Sequence, residues 1–300
     1  MLFPATSQSI SAPCQANKHT LLDWAKRHTR WLVITGAGCS TQAGIPAYRD
    51  REGQWMRAQP VTYQAFMGNV LVRKRYWARS MLGWPNIAQA QPTQAHLALA
   101  QLQRMERIEL LVTQNVDGLH TAAGSQQCID LHGRLDTVRC MHCEERLHRQ
   151  IWQNQLVQAN PAWQGLEAHS LPDGDADVED LPFEQFVIPA CPVCASTLLK
   201  PDVVFFGESV PRDRVNLILQ TIPKVDGVMV LGSSLMVYSG FRFVEAAAKQ
   251  GVPIVAVNDG TTRADHLLEF KVQAEVGEVM QYFGAGVDCQ QSARKHMKTR

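Results

Sequence analysis

Four cysteines, one histidine and a set of glycines and small polar residues carry the chemistry legible in this chain. Cys140-Met-His-Cys143 and Cys191-Pro-Val-Cys194 form two Cys-x-x-Cys pairs separated by 47 residues. Four thiolates suit tetrahedral zinc, and a complete sulfur shell leaves no position for a reacting water, so the set predicts one structural Zn2+. His142 and His148 lie close enough to compete as ligands; a histidine beside such a pair is otherwise a surface residue. Of the eight cysteines, Cys14, Cys39, Cys128 and Cys289 belong to no pair, and Cys39 reads as a small packed residue. A second cluster starts at Gly36-Ala37-Gly38, where missing side chains would let the backbone approach a pyrophosphate and a following helix would add its positive end. The alternative is a tight strand-to-helix turn without a ligand. No Gly-Lys-Ser/Thr follows, which excludes a P-loop. Pro46 interrupts the expected helix, and no acidic residue closes a second strand some twenty positions on, which argues against a dehydrogenase. His132, in Ile-Asp-Leu-His-Gly, is either a packed structural residue or a general base, since an imidazole is mostly neutral near pH 7.

Such groups need a scaffold. The chain has 300 residues, 45% apolar and 19% charged, with a formal net charge of +1, which describes a soluble globular protein with no electrostatic case for nucleic acid or membrane partners. No apolar run approaches the roughly 18 residues needed to span a bilayer. The first basic residue is Lys18, so no signal peptide or presequence is apparent and a cytoplasmic location is expected. Short β-branched runs at 31–35, 109–113, 227–232 and 252–258 read as buried parallel strands. Helix-like stretches separate them: one opens at Pro92-Thr93 and is expected to turn Leu97, Leu102 and Met105 inward, and another spans 240–251. This alternation predicts a doubly wound α/β sheet. Residues 46–88, rich in Arg, Tyr, Trp and Met, read as a helical insertion, and the acidic stretch 172–180 as a surface loop. The four strands run into Gly36-Ala37-Gly38, Gln114-Asn115-Val-Asp117, Ser233-Ser234 and Asn258-Asp259, and ligands in this fold class bind at such carboxyl ends.

Taken in order, these residues resemble the sirtuin family over about residues 20–283. The matching motifs are Gly36-Ala37-Gly38-x-Ser40, Gly44-Ile45-Pro46-x-Tyr48-Arg49, Thr113-Gln-Asn-Val-Asp-Gly-Leu-His120, His132-Gly133, both cysteine pairs, Lys200-Pro-Asp-Val-Val-Phe-Phe-Gly-Glu208 and Gly232-Ser233-Ser234. Residues 76–79, 172–175 and 232–243 look most like class II, the sirtuin-4 branch, in a bacterial member. The resemblance implies a Rossmann-like NAD-binding domain (18–45, 89–137 and 199–285), a cofactor loop with a helical insertion (46–88), a zinc module (138–198) and flexible termini (1–17 and 286–300). It implies that NAD is consumed as a co-substrate, contacted by Gly36, Ala37, Gly38, Ser40, Ile45, Pro46, Tyr48, Arg49, Gln114, Asn115, Asp117, His132, Gly232, Ser233, Ser234, Asn258, Asp259 and Val276. His132, Asn115 and Asp117 would be the catalytic set. Val203, Val204, Phe205, Phe206, Gly207 and Glu208 would bind an acyl-lysine peptide by strand addition.

On the same resemblance, the acyl oxygen of a modified lysine displaces nicotinamide, His132 takes a proton from a ribose hydroxyl, and the products are lysine and O-acyl-ADP-ribose. Protein mono-ADP-ribosylation is the alternative activity, and a zinc-stapled NAD-sensing module a third reading; retention of His132, Asn115 and Asp117 argues against the last. Class I members usually have Phe at the position of Tyr48, and Ala47 replaces an Asp common in the sirtuin-4 branch. Tyr76 and Arg79, three apart on a helix, are expected to clamp an acidic acyl group as a Tyr-x-x-Arg pair does in class III. A monomer is expected.

Overall fold

A computed structural model describes residues 14–56, 60–166, 169–170, 176–177 and 181–283. In chain order its strands are β1 (Gln15–Ala16), β2 (Trp31–Thr35), β3 (Ile108–Thr113), β4 (Cys128–Asp130), β5 (Gly133–Cys140), β6 (Arg146–His148), β7 (His169–Ser170), β8 (Ala176–Asp177), β9 (Leu199–Val203), β10 (Gly227–Leu231), β11 (Ile254–Val257) and β12 (Phe270–Val272). Its helices are α1 (Lys18–Arg27), α2 (Tyr63–Gly68), α3 (Val70–Gln89), α4 (Gln94–Arg104), α5 (Leu119–Ala122), α6 (Arg149–Ala159), α7 (Arg212–Thr221) and α8 (Tyr238–Lys249). Seven strands pair in parallel in the order β1-β12-β11-β10-β2-β3-β4, the Rossmann-like sheet expected.

Alternation along the strands explains why this sheet reads as unbroken apolar runs. Trp31, Val33, Met229, Leu231, Val255 and Val257 point into one core, with Leu21 and Trp24 of α1, Leu99 and Leu102 of α4, and Met280 and Phe283. Leu32, Ile34, Val228, Val230, Ile254 and Ala256 point into the other, against Ile218 of α7 and Phe243, Val244 and Ala247 of α8. Both faces are covered, so every position must be apolar. On α4 the inward set is Ala95, Ala98, Leu99 and Leu102, the i, i+3, i+4, i+7 spacing of one helical face, with Met105 packed at the edge. Leu97 lies off that stripe and is 44% exposed, contrary to the expectation. Gln15–Ala16, expected within a flexible terminus, adds an edge strand beside β12, and residues 1–13 lie outside the described residues. Two residues are too few to show any period.

A smaller three-stranded antiparallel sheet, β6-β5-β9, packs with α2, α3 and α6 around Phe66, Trp77, Trp152, Leu156 and Phe186. Asn69 starts α3 by accepting the N–H groups of Leu71 and Val72 at 2.8 and 3.3 Å. The expected boundary at 137/138 falls inside β5, which runs from Gly133 to Cys140 with a register shift against β9 between Arg134 and Val138. The acidic stretch 172–180 lies outside the described residues apart from the backbone of Ala176–Asp177, which pairs with His169–Ser170. Among the described residues no helix is long and apolar enough to cross a membrane.

Candidate active site

The ends of β2, β3, β10 and β11 enclose one side of a cavity of about 820 Å3. All the residues expected to contact cofactor or peptide line it, from Gly36 to Val276, except Tyr76 and Arg79. The glycine turn is built by close approach. A Cβ on Gly36 would lie 2.7 Å from Ser233 Cβ, and one on Gly38 2.7 Å from Gly232 Cα. Gly36 and Gly38 donate their N–H groups to Leu231 and Gly232 carbonyls at 3.0 and 2.9 Å. These glycines therefore pack one strand end against another. The helix expected after them is instead two 3-10 turns, Ala37–Cys39 and Thr41–Ala43. Cys39 and Ser40 donate back to Gly36 and Ala37 carbonyls, so no long helix follows the glycine turn itself.

Side chains supply the polarity. Ser40 Oγ donates to Asp117 Oδ2 at 2.7 Å, and Asn115 Nδ2 donates to Ser40 Oγ and Gly36 O, both at 3.0 Å. Gln114 Nε2 donates to Ser233 Oγ at 2.7 Å and to Thr35 O at 3.2 Å. Asp117 Oδ1 accepts the N–H of Leu119 at the start of α5. Three strand ends are thus cross-linked by the side chains of five of the expected residues, Ser40, Gln114, Asn115, Asp117 and Ser233, which fixes them before any ligand arrives. At the β11 end, Asn258 Nδ2 donates to Gly260 O at 2.9 Å.

His132 sits between β4 and β5. Its Nδ1 is 2.9 Å from Gln114 O and its Nε2 is 2.7 Å from Ser239 Oγ. A carbonyl only accepts, so the neutral ring carries its proton on Nδ1, and Nε2 is the acceptor for the Ser239 hydroxyl. Burial holds the His132 pKa below its ordinary value, the Gln114 carbonyl opposes this, and Arg214 and Arg242 push it lower still. The ring is therefore a neutral base at pH 7, with Nε2 as the atom able to take a proton.

The cavity roof comes from the loop after Ile45. The Arg49 guanidinium lies 3.9 Å over the Trp55 ring and donates to Gly53 O at 2.7 Å. Trp55 meets Tyr48 and Phe206 edge-on. Arg51 ties the loop to the end of β11 through Asp259 at 2.8 Å and by accepting the N–H of Thr261. On the opposite wall, Val204 donates its N–H to His132 O at 2.7 Å, and Phe206 O accepts the N–H of Tyr63 at 2.8 Å. Part of the 203–208 backbone is therefore already committed. Glu208 holds the run in place, accepting from Phe205 N–H at 2.9 Å and from the buried Lys200 Nζ at 3.1 Å.

Tyr76 and Arg79, expected as a clamp, are not among the residues that line this cavity. Tyr76 is only 6% exposed and packs against Phe66, Trp77 and Phe205, with ring centroids 5.3, 5.4 and 5.3 Å away. Its apolar body is drawn into the core of the smaller unit, and Arg79 on the same helix does not reach the cavity. Several lining residues went unread in the sequence: Trp55, Arg212, Asn216, Ser239 and Arg242. Ser239 and Arg242 carried a usable signal, since they lie three apart on the helix that follows the Ser233-Ser234 strand end.

The four cysteines meet away from the cavity. Their sulfurs all lie within 4.8 Å of one another, with Cys140–Cys194 at 3.6 Å and Cys143–Cys191 at 3.7 Å. A tetrahedron with Zn–S bonds of about 2.3 Å has edges of about 3.8 Å, so the sulfurs are spaced for zinc. The two halves match. Each pair is followed by a left-handed residue, Glu144 at φ 66 and Ala195 at φ 59, whose N–H returns to Cys140 O or Cys191 O. His142 and His148 are not part of the cluster.

Residues 36–239 match the model of the Sir2 family. The chain is 58% identical over 267 residues (89% of this chain, 91% of the relative) to an NAD-dependent protein deacetylase of Xanthomonas axonopodis pv. citri (strain 306). It is 56% identical over 251 residues (84% and 91%) to one of Bordetella bronchiseptica (strain ATCC BAA-588 / NCTC 13252 / RB50). Among solved structures, a Sir2 homologue in complex with NAD superposes with a TM-score of 0.71 at 28% identity, covering 93% of this chain and 97% of that one. Another, Sir2 with the inhibitor EX-527, 2'-O-acetyl-ADP-ribose and a deacetylated p53 peptide, has a TM-score of 0.68 at 27% identity, covering 88% and 96%. Both carry the same overall fold as this chain. With the family model spanning both the glycine turn and His132, the chain belongs to the Sir2 (sirtuin) family.

Proposed function

We propose that this chain is an NAD-dependent protein-lysine deacylase that releases nicotinamide and O-acyl-ADP-ribose. One observation carries the reading: His132 Nε2, a neutral buried acceptor, faces the same cavity as the cross-linked Ser40, Asn115, Asp117 and Gln114. The residues fit a dinucleotide. Ser233 and Asn258 stand where the adenosine half would lie, with Val276 beside the adenine, and Gln114, Asn115 and Asp117 hold the nicotinamide end. When bound, NAD supplies an electrophilic anomeric carbon with nicotinamide as the leaving group. His132 then takes a proton at Nε2, and its Nδ1–H bond to the Gln114 carbonyl stabilises the imidazolium that forms. The 203–208 wall presents its remaining backbone groups to an acyl-lysine peptide. The zinc ion, with four sulfurs and no open position, is structural.

The finer placement is in the class II, sirtuin-4-like branch, for which the sequence Gly232-Ser-Ser-Leu-Met-Val-Tyr-Ser-Gly-Phe-Arg242 is the main support. The enzyme acts as a cytoplasmic monomer; sedimentation and cell fractionation test those two points. The activity is tested by mass spectrometry of the products from NAD and a panel of acyl-lysine peptides. Nicotinamide with acyl-ADP-ribose supports deacylation. ADP-ribose accumulating on protein would instead establish the mono-ADP-ribosyltransferase alternative.

A further inference from the structure

The cavity wall beside His132 is cationic, and its cations are unmatched. Helix α7 turns Arg212, Val215 and Asn216 to the cavity, a 3-4 helical spacing, and α8 turns Ser239 and Arg242, one turn apart. Ser239 Oγ touches His132 Nε2 at 2.7 Å, so Arg242 stands one helical turn from the group that bonds the base. Arg242 Nε is buried without a hydrogen-bond partner, and the guanidinium lies 5.5 Å from the centroid of the Tyr238 ring. Among the described residues neither Arg242 nor Arg212 forms an ion pair. Of the cavity's acids, Glu208 is engaged by Lys200, Asp259 by Arg51, Asp117 by Ser40 and Asp50 by backbone N–H groups of its own loop. Val204 and Val215 supply apolar wall for a methylene chain. An unpaired guanidinium in a partly dry wall favours a carboxylate there.

We infer that the deacylase accepts lysine carrying a short dicarboxylic acyl group, with Arg242 as the partner of the distal carboxylate. The inference rests on the deacylase reading and replaces Arg79, which lies elsewhere, with an arginine that lines the cavity. Arg242 also bears on His132 electrostatically, so a bound carboxylate would offset a charge that lowers the basicity of the imidazole.

The test compares peptides of one sequence whose lysine carries succinyl or glutaryl, against the uncharged butyryl and valeryl groups of equal chain length. The expected result is a higher kcat/KM for at least one acidic group. Substituting Arg242→Gln should lower the acidic-to-neutral ratio about 10- to 100-fold, and Arg242→Lys by less. A melting curve near the parent's establishes that each variant is folded. Binding of the same labelled peptides without NAD, read by fluorescence anisotropy, should shift in the same direction. The inference is overturned if neutral groups are preferred, if the ratio ignores Arg242, or if Arg242→Gln raises KM for NAD equally with every peptide, which would place the arginine on the dinucleotide. Should no acyl peptide be turned over, the deacylase reading fails; the anisotropy ratio then decides separately whether this wall selects a carboxylate.

Discussion

Gly133 joins the base to the wall that faces the peptide, and replacing it with alanine should cost far more than a loop glycine would. It follows His132 directly, has φ +81, and opens β5 opposite Val203. A Cβ built there would lie 2.0 Å from Asp202 O and 2.9 Å from its carbonyl carbon. Both contacts are backbone, so no side chain can rotate out of the way. The left-handed conformation costs an L-residue about 1–2 kcal/mol, and forcing an extra methyl into packed structure about 1–3 kcal/mol more. Gly133→Ala should therefore destabilise the protein by about 2–5 kcal/mol. Gly251 is the control: its φ is +70, but nothing lies within 4 Å of its Cβ position, so only the conformational term applies. Urea denaturation of the two variants, followed by tryptophan fluorescence, measures the difference. Relief of the clash must also part β5 from β9 and disturb the Val204 N–H to His132 O bond, so activity should fall with stability in Gly133→Ala alone. Equal destabilisation by the two substitutions would refute the argument that backbone contact at residue 202 demands the glycine.

Metal analysis should find one zinc per chain. Cys140→Ser should lower it and melt the smaller unit, seen as a lowered thermal midpoint, while a fully folded metal-free variant would contradict the structural assignment. Activity should persist into mildly acidic buffer, because His132 is the working base only when unprotonated and burial keeps its pKa below about 6.5. The groups acting on the ring are the Gln114 carbonyl, Ser239 and Arg242 of α8, and Arg214 of α7. Arg242→Gln removes a charge that lowers the pKa and should move the acid limb of kcat/KM to higher pH; an unmoved limb counts against that proximity. Glu208→Gln removes the paired carboxylate of the Lys200 ammonium, whose side chain is 4% exposed, and leaves only the more distant Asp202 charge. Breaking such a pair costs about 3–5 kcal/mol, read by urea denaturation, whereas a loss below about 1 kcal/mol would show that Lys200 sheds its proton or reaches water.

The parts of this fold that sequence reveals are those with a long enough signal. The runs giving β2, β3, β10 and β11 are four to six residues of β-branched and aliphatic side chains, because both sheet faces are covered. β1, β4 and β12 have two or three residues and owe their place to pairing with neighbours, which no local pattern encodes. The cysteine pairs predicted a cluster because only a shared ion needs two such pairs, and spacing survives a long intervening segment. Orientation was harder to read. Leu97 and Leu102 look alike in composition, and only the 95-98-99-102 stripe separates them. Tyr76 and Arg79 have the spacing of a clamp, but helical periodicity says which residues share a face and not what that face meets, and Tyr76 packs among Phe66, Trp77 and Phe205. The glycine turn shows a second requirement that the sequence does not reveal: Gly36 and Gly38 line the cavity and also pack closely against Gly232 and Ser233.

If His132 is the base of an NAD-dependent acyl transfer, removing its imidazole must suppress product formation. NAD-dependent formation of acyl-ADP-ribose from an acyl-lysine peptide should be measured for the parent protein and for His132→Ala, with folding of the variant checked by circular dichroism. Loss of a positioned general base costs about 100- to 10,000-fold, so the account predicts that product formation falls by at least about 100-fold. Product formed at the parent rate by the folded variant would contradict it.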